Sequence, residues 1–187
     1  MFFKTLQYFI FLSKSTNQHG VHSPFVYHLV TRCFYNQEKK ASNATLKTWC
    51  KEFNIPLKAG KLINRIPNYF KCENALVFEE AKPDIFKLLT LNTNLTVNFQ
   101  KQPNRSYDLI YCTVYQLQAY INNQSLRSIA HNDSIFVLYS VYASKETKTI
   151  WDNIKEHPKI KVTVDTFYFC FVFIRKEQAK EHFMIRL

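Results

Sequence analysis

Few residues of this chain combine a reactive type with a spacing that chemistry needs. Glu79 and Glu80 stand in NALVFEEAKPDIFKLL (Asn74 to Leu89), where an apolar run passes through a tight turn into a helical pattern, the outline of a nucleotide-binding βα corner. Paired carboxylates serve as acid and base when both face one bond, but adjacent residues at an extended strand end point to opposite faces. His19 and His22 are spaced H-x-x-H beside Gly20. Zinc takes three or four ligands with a supporting shell, and neither cysteine nor acid lies nearby in sequence. Packing is therefore the reading of this loop, and no metal ligands are assigned. No serine sits in a G-x-S-x-G elbow, and the two glycines, Gly20 and Gly60, rule out a G-x-x-x-x-G-K phosphate loop. No catalytic residue is assigned.

The elements that must position these residues change character along the chain. Ser23 and Pro24 are read as N-cap and first residue of a helix with apolar Phe25, Val26, Leu29, Val30 and Phe34 at a 3.6 period, so residues 1–36 are two helices joined by a loop. Asn36 to Asn43 is the linker candidate. Helices are expected around Leu46 to Phe53 and from Leu57 to Phe70, the latter disturbed by Pro67. From residue 74 strands alternate with helices: strands at 75–79, 95–99, 107–113, 134–140, 161–167 and 168–175, helices at 84–92, 117–129 and 145–157. Ser144 caps the last helix and Pro158 closes it. The pattern predicts an α/β layered fold with an N-terminal helical extension over 1–72 and an α/β domain over 73–187. Average glycine usage is about 7%, so nearly every turn here falls to Asn, Asp, Ser, Lys or Pro.

Charge is uneven. Residues 1–72 hold 11 Lys and Arg against Glu38 and Glu52, a net of +9 in a chain of +11. A cationic face suits a protein partner, an acidic partner or nucleic acid, although no RNP, KH or helix-turn-helix signature occurs. Five widely spaced cysteines without a C-x-x-C pair read as reduced thiols of a cytoplasmic protein. The apolar start MFFKTLQYFIFLSK is shorter than the about 20 residues a bilayer span needs, and it reads as an amphipathic helix against the body, with interfacial membrane association as the lesser reading.

HGVHSPFVY, His19 to Tyr27, resembles the bacterial class I S-adenosylmethionine-dependent methyltransferases that begin with an HGVHSPFVF-type segment. The chain end, HNDSIFVLYSVYASKETKTIWDNIKEHPKI followed by VTVDTFYFCFVFIRKEQAKEHFMIRL, is similar to the same family. The likeness covers residues 1–35 and about 131–187, and carries His19, Gly20, Val21, His22, Ser23, Pro24 and Phe25 as the family segment. It implies a Rossmann-like seven-stranded sheet with the cofactor over the carboxyl ends of the first strands.

The middle departs from that pattern. Where the family carries an LELGTSLG-type corner, with glycines that let the backbone approach the cofactor, this chain has Val77, Phe78, Glu79, Glu80, Ala81, Lys82 and Pro83. Asn98 stands near the place of the ribose-binding acid at the end of the second strand. Only the seven residues Gln100 to Ser106 precede the next strand, whereas a crossover with its helix takes about 10 to 12. A strap of that length reaches about 25 Å at roughly 3.6 Å per residue, so the missing unit predicts a truncated sheet of about six strands. The family's acids after the fourth and fifth strands are replaced by Cys112-Thr113 and Tyr139-Ser140. The chain is thus identified as a degenerate member, with no cofactor expected, and Phe78, Glu79, Glu80, Ala81, Lys82, Pro83 and Asn98 marking the lost site. Its expected role is non-catalytic binding. The alternatives are an active methyltransferase that holds S-adenosyl-L-methionine atypically, and a basic nucleic-acid-binding module.

Overall fold

The computed structural model describes residues 2–36, 44–78, 83–91 and 94–187. Helix α1 spans Phe2–Lys14, and α2, Pro24–Leu29, runs on into a π turn at Val30–Phe34. Helices α3 (Ala44–Glu52) and α4 (Leu57–Tyr69) follow. The scarcity of glycine is met at the helix ends. α3 and α4 close with Asn54 and Lys71 at positive φ, each followed by a residue whose N–H reaches back five positions: Ile55 to the Cys50 carbonyl and Cys72 to that of Pro67, both at 2.8 Å. These are Schellman closures, which satisfy the orphan carbonyls of a last turn and usually take glycine. Both glycines serve close approach instead. A Cβ on Gly20 would lie 2.1 Å from Thr16 Oγ1, and one on Gly60 2.1 Å from Cys50 Sγ, where α4 meets α3.

Seven strands form one sheet: β1 Asn74–Val77, β2 Thr96–Asn98, β3 Tyr107–Cys112, β4 Ala130–Tyr139, β5 Val162–Asp165, β6 Phe169–Phe173 and β7 Glu181–Met184. Their order is β2-β1-β3-β4-β6-β5-β7, parallel except that β6 runs antiparallel to both neighbours. Between them lie α5 (Pro83–Thr90), α6 (Val114–Asn122) and α7 (Lys145–Glu156). α7 starts in a capping box of Ser144 and Thr147, and α6 in one of Thr113 and Gln116.

Successive strand residues serve opposite faces. Ala75, Val77, Leu109, Ile135, Val137, Phe171 and Phe173 pack with residues of α2, α3, α4 and α5, while Leu76, Ile110, Phe136, Leu138 and Val172 pack with α6, α7 and Phe11 of α1. Helices on both faces of a mostly parallel sheet make this a doubly wound, Rossmann-like α/β fold, as expected. Residues of the 1–72 segment and of the sheet share the first of these clusters. Burying Ile150, Trp151 and Ile154 of α7 contributes roughly 1.5–3 kcal/mol per large side chain.

Some expectations are corrected. The sheet has seven strands, not about six, because Glu181–Met184 pairs in parallel with β5 at the edge. EHFM is half-exposed and lacks the apolar run that marked the inner strands. The helix expected to run to Ile129 ends at Asn122, where Gln124 at positive φ closes a third Schellman turn with Ser125 bonded to the Tyr120 carbonyl. β4 begins four residues before Ser134, at Ala130. Ser23 stands at the N-cap of α2 but makes no capping bond with its side chain. The strap 99–106 crosses without helix or strand, held where Gln102 N–H donates to Tyr107 Oη at 2.9 Å. Of the linker candidate, only Asn36 is among the described residues. No described helix is long and apolar enough to cross a membrane.

Candidate functional site

From β1 the chain passes through α5 to β2 on one side, then returns along the strap to β3 on the other. The order reverses between β1 and β3, and in open α/β sheets ligands bind in the crevice outside the carboxyl ends of the strands at such a point. Four strand ends surround it.

At the end of β1, Phe78 N–H donates to the Tyr111 carbonyl at 3.0 Å, and its ring meets Tyr120 edge-on at 5.8 Å. Glu79, Glu80, Ala81 and Lys82 lie outside the described residues, and Pro83 opens α5. At the end of β2, the Asn98 side chain is engaged at both ends: Nδ2 donates to the Ala75 carbonyl at 3.3 Å, and Oδ1 accepts from Gln102 Nε2 at 3.0 Å. It clasps β2 to β1 and to the strap.

After β3, Thr113 serves the capping box of α6, its N–H donating to Gln116 Oε1 at 2.8 Å. Cys112 is buried, and burial pushes its thiol well above the ordinary range, so no thiolate nucleophile arises there. After β4, the Tyr139 ring packs on Phe169 at 5.5 Å, and Ser140 turns the chain at positive φ. Beneath these ends Tyr111 is fully buried, and among the described residues its hydroxyl has no hydrogen-bond partner. Burial first, then nearby Tyr139 and Cys112, raises its pKa, so the phenol stays protonated.

The resemblance to the methyltransferases implies a ribose at the end of β2. The β2 position that would receive a ribose carries an amide already committed to two internal bonds. Phe78, Asn98, Cys112, Thr113, Tyr139 and Ser140, the described residues that close these strands, include neither an acid nor a glycine.

The histidine segment lies elsewhere. His19 N–H donates to Asn17 Oδ1 at 3.0 Å, and His22 is exposed. Among the described residues no group of three or more His, Cys, Asp or Glu is placed to hold a metal. Val21 and Ser23 are buried, and the Phe25 ring packs on Phe173 of β6 at 5.0 Å with the Arg175 guanidinium 4.9 Å from its centre.

Sequence reasoning missed two assemblies. The first is an acid–histidine pair at the amino ends of the strands. Asp108 Oδ2 accepts from the Glu73 and Asn74 N–H groups at 2.8 and 3.0 Å, and Oδ1 from His131 Nε2 at 3.0 Å. His131 Nδ1 accepts from Asp133 N–H at 3.2 Å, so Nε2 is the donating nitrogen. Burial alone raises the Asp108 pKa, but the donors from Asn74, Glu73 and His131 bring it below the ordinary carboxylate value. With no nucleophile on the ring, the pair ties β1, β3 and β4 together. The second is a cationic cleft of Lys58, Lys61, Arg65 and Arg186, foreshadowed only by the N-terminal charge excess.

No protein-family description and no curated protein matches this sequence. Among solved structures, the chain is similar to an SAH-bound methyltransferase from Podospora anserina, with 10% identity and a TM-score of 0.48 over 86% of this chain and 97% of that one. It is also similar to the O-methyltransferase from Bacillus cereus in complex with SAH (10% identity, TM-score 0.42, 72% and 92%). A methyltransferase from Geobacter sulfurreducens gives 6% identity and a TM-score of 0.42 over 70% and 87%. These likenesses are too low to carry any residue role or activity to this chain.

Proposed function

We propose that this chain is a class I methyltransferase scaffold whose cofactor crevice has been given up, and that it acts by binding rather than by methyl transfer. The observation that carries this reading is the Asn98 clasp: the polar side chain at the end of β2, where the resemblance implies a ribose, bonds to Ala75 and Gln102 within the chain. The order of β2, β1, β3 and β4 and the HGVHSPFVY segment support the scaffold. In this reading residues 1–72 form a helical extension whose basic surface meets a protein or acidic partner, residues 73–187 form the methyltransferase-type domain, no cofactor is retained, and the protein resides in the cytoplasm. Nucleic acid as the partner predicts steeply salt-dependent affinity.

A second reading, an active methyltransferase with an atypical site, is favoured by one observation. The Tyr111 hydroxyl lies buried near the end of β3 with no partner among the described residues, and such groups call for an explanation. Titration calorimetry with S-adenosylmethionine and S-adenosylhomocysteine separates the two. The scaffold reading expects no heat at millimolar ligand; micromolar binding of either compound sinks it.

A further inference from the structure

We propose that the cleft between α4, the turn after α1 and the residues following β7 is a binding site for a small molecule carrying two or more phosphate charges. This deepens the binding role proposed above and rests on that reading. The cleft is open to solvent and has a volume of about 950 Å³, at the upper end of the about 300–1,000 Å³ typical of small-molecule pockets. Lys58, Lys61 and Arg65 recur at three- and four-residue spacing, so they share one face of α4. Arg186 faces them from the segment after β7, which is stitched to the turn after α1 by its own N–H to the Thr16 carbonyl at 3.0 Å.

Among the described residues both arginines are fixed by neutral acceptors. Arg65 donates to the Phe34 carbonyl at 2.9 Å and to that of Asn36, and Arg186 to the carbonyls of Leu12 and Ser15 at 3.2 and 3.3 Å. All of these acceptors are uncharged. A partly buried guanidinium surrounded by neutral groups is an incomplete electrostatic arrangement, and burial shifts Arg65 accordingly, lowering its pKa. Two rigid forks with spare N–H groups are pre-organised for phosphate oxygens. Among the described lining residues there is no acidic side chain. Lys58 Nζ donates to the Leu187 main-chain oxygen at 3.4 Å. Asn17, Gln18 and Asn36 add amide groups around the rim.

A second cavity, of about 460 Å³ between α1, α7 and β7, shows the contrast. It too is lined by lysines, but Asp152 sits between Lys148 and Lys155 at 2.5 and 2.7 Å and balances them. The α4 cleft has no such carboxylate among its described lining residues. Its concave shape suits a compact polyanion better than a nucleic-acid backbone, which binds along extended basic surfaces.

The test is calorimetric titration of the full chain with inorganic pyrophosphate at constant ionic strength. Saturable one-site binding is expected. It should weaken by about tenfold or more in the Lys58→Glu, Lys61→Glu double variant, as for the loss of charge-assisted bonds. It should change by less than about twofold in Lys47→Glu, an exposed α3 residue outside the cleft. Lys58 and Lys61 are exposed, so circular dichroism should be unchanged. Absence of saturable heat, equal weakening in all variants, or binding of duplex DNA with pyrophosphate inert would each overturn the proposal. The S-adenosylmethionine titration reads the crevice separately, so either proposal can fail while the other result stands.

Discussion

At the amino ends of β1, β3 and β4, Asp108 accepts three hydrogen bonds and His131 is fixed through both ring nitrogens; near the carboxyl end of β3, Tyr111 buries a hydroxyl that meets no partner among the described residues. The same strands therefore carry a satisfied acid–histidine network at one end and aromatic packing with an orphaned polar atom at the other. By residue type alone the Asp108–His131 pair looks the more catalytic. Its place says otherwise, because ligands of open parallel sheets bind at the carboxyl ends, where the connections diverge. Function follows from where groups converge, and fold alone does not supply it.

The sharpest way to break this comparison is to remove Asp108. Asp108→Ala leaves two backbone N–H groups and the His131 ring without their acceptor, and about 3 kcal/mol of stability should be lost in urea unfolding at neutral pH. A loss below about 0.5 kcal/mol, the level of ordinary surface substitutions, would mean that the network does not bind the strands together.

A smaller effect follows from acidification. The folded Asp108 pKa is lowered, so as pH falls the unfolded chain takes up this proton first. The carboxylate's contribution is complete above its unfolded value of about 4 and disappears as pH drops through the folded value. The urea midpoint should decline below about pH 4 more steeply in the native protein than in Asp108→Asn. Parallel curves for the two proteins would count against the assignment.

The smallest expected change sharpens the other end. Tyr111→Phe removes a buried hydroxyl without a partner, and stability should rise by about 1 kcal/mol. A loss instead would show that the hydroxyl finds a partner in solution and would return weight to the active-methyltransferase reading.

Much of the architecture was legible locally. Short apolar runs such as LIYC and IFVLY are buried on both faces and mark inner strands, and Ser144 with Thr147 announces the start of α7. The seventh strand was not legible, because EHFM has the composition of a half-exposed edge and becomes a strand only through its pairing with β5. The end of α6 was blurred for a related reason: Gln124 is not a turn-forming residue by type, and it is the closing hydrogen bond of Ser125 that holds it at positive φ.

By itself the sequence determined the alternation of strands and helices, the shortness of the strap, the absence of glycine from the first βα corner and the concentration of positive charge in residues 1–72, since each is a property of neighbours along the chain. Tertiary structure alone decided that Asn98 turns inward to Ala75, that Asp108 meets His131, and that Arg186 joins three cations of α4. These groups lie up to 128 residues apart in the chain. Such contacts depend on which strand lies beside which, a choice made by the packing of both sheet faces and written in no single segment.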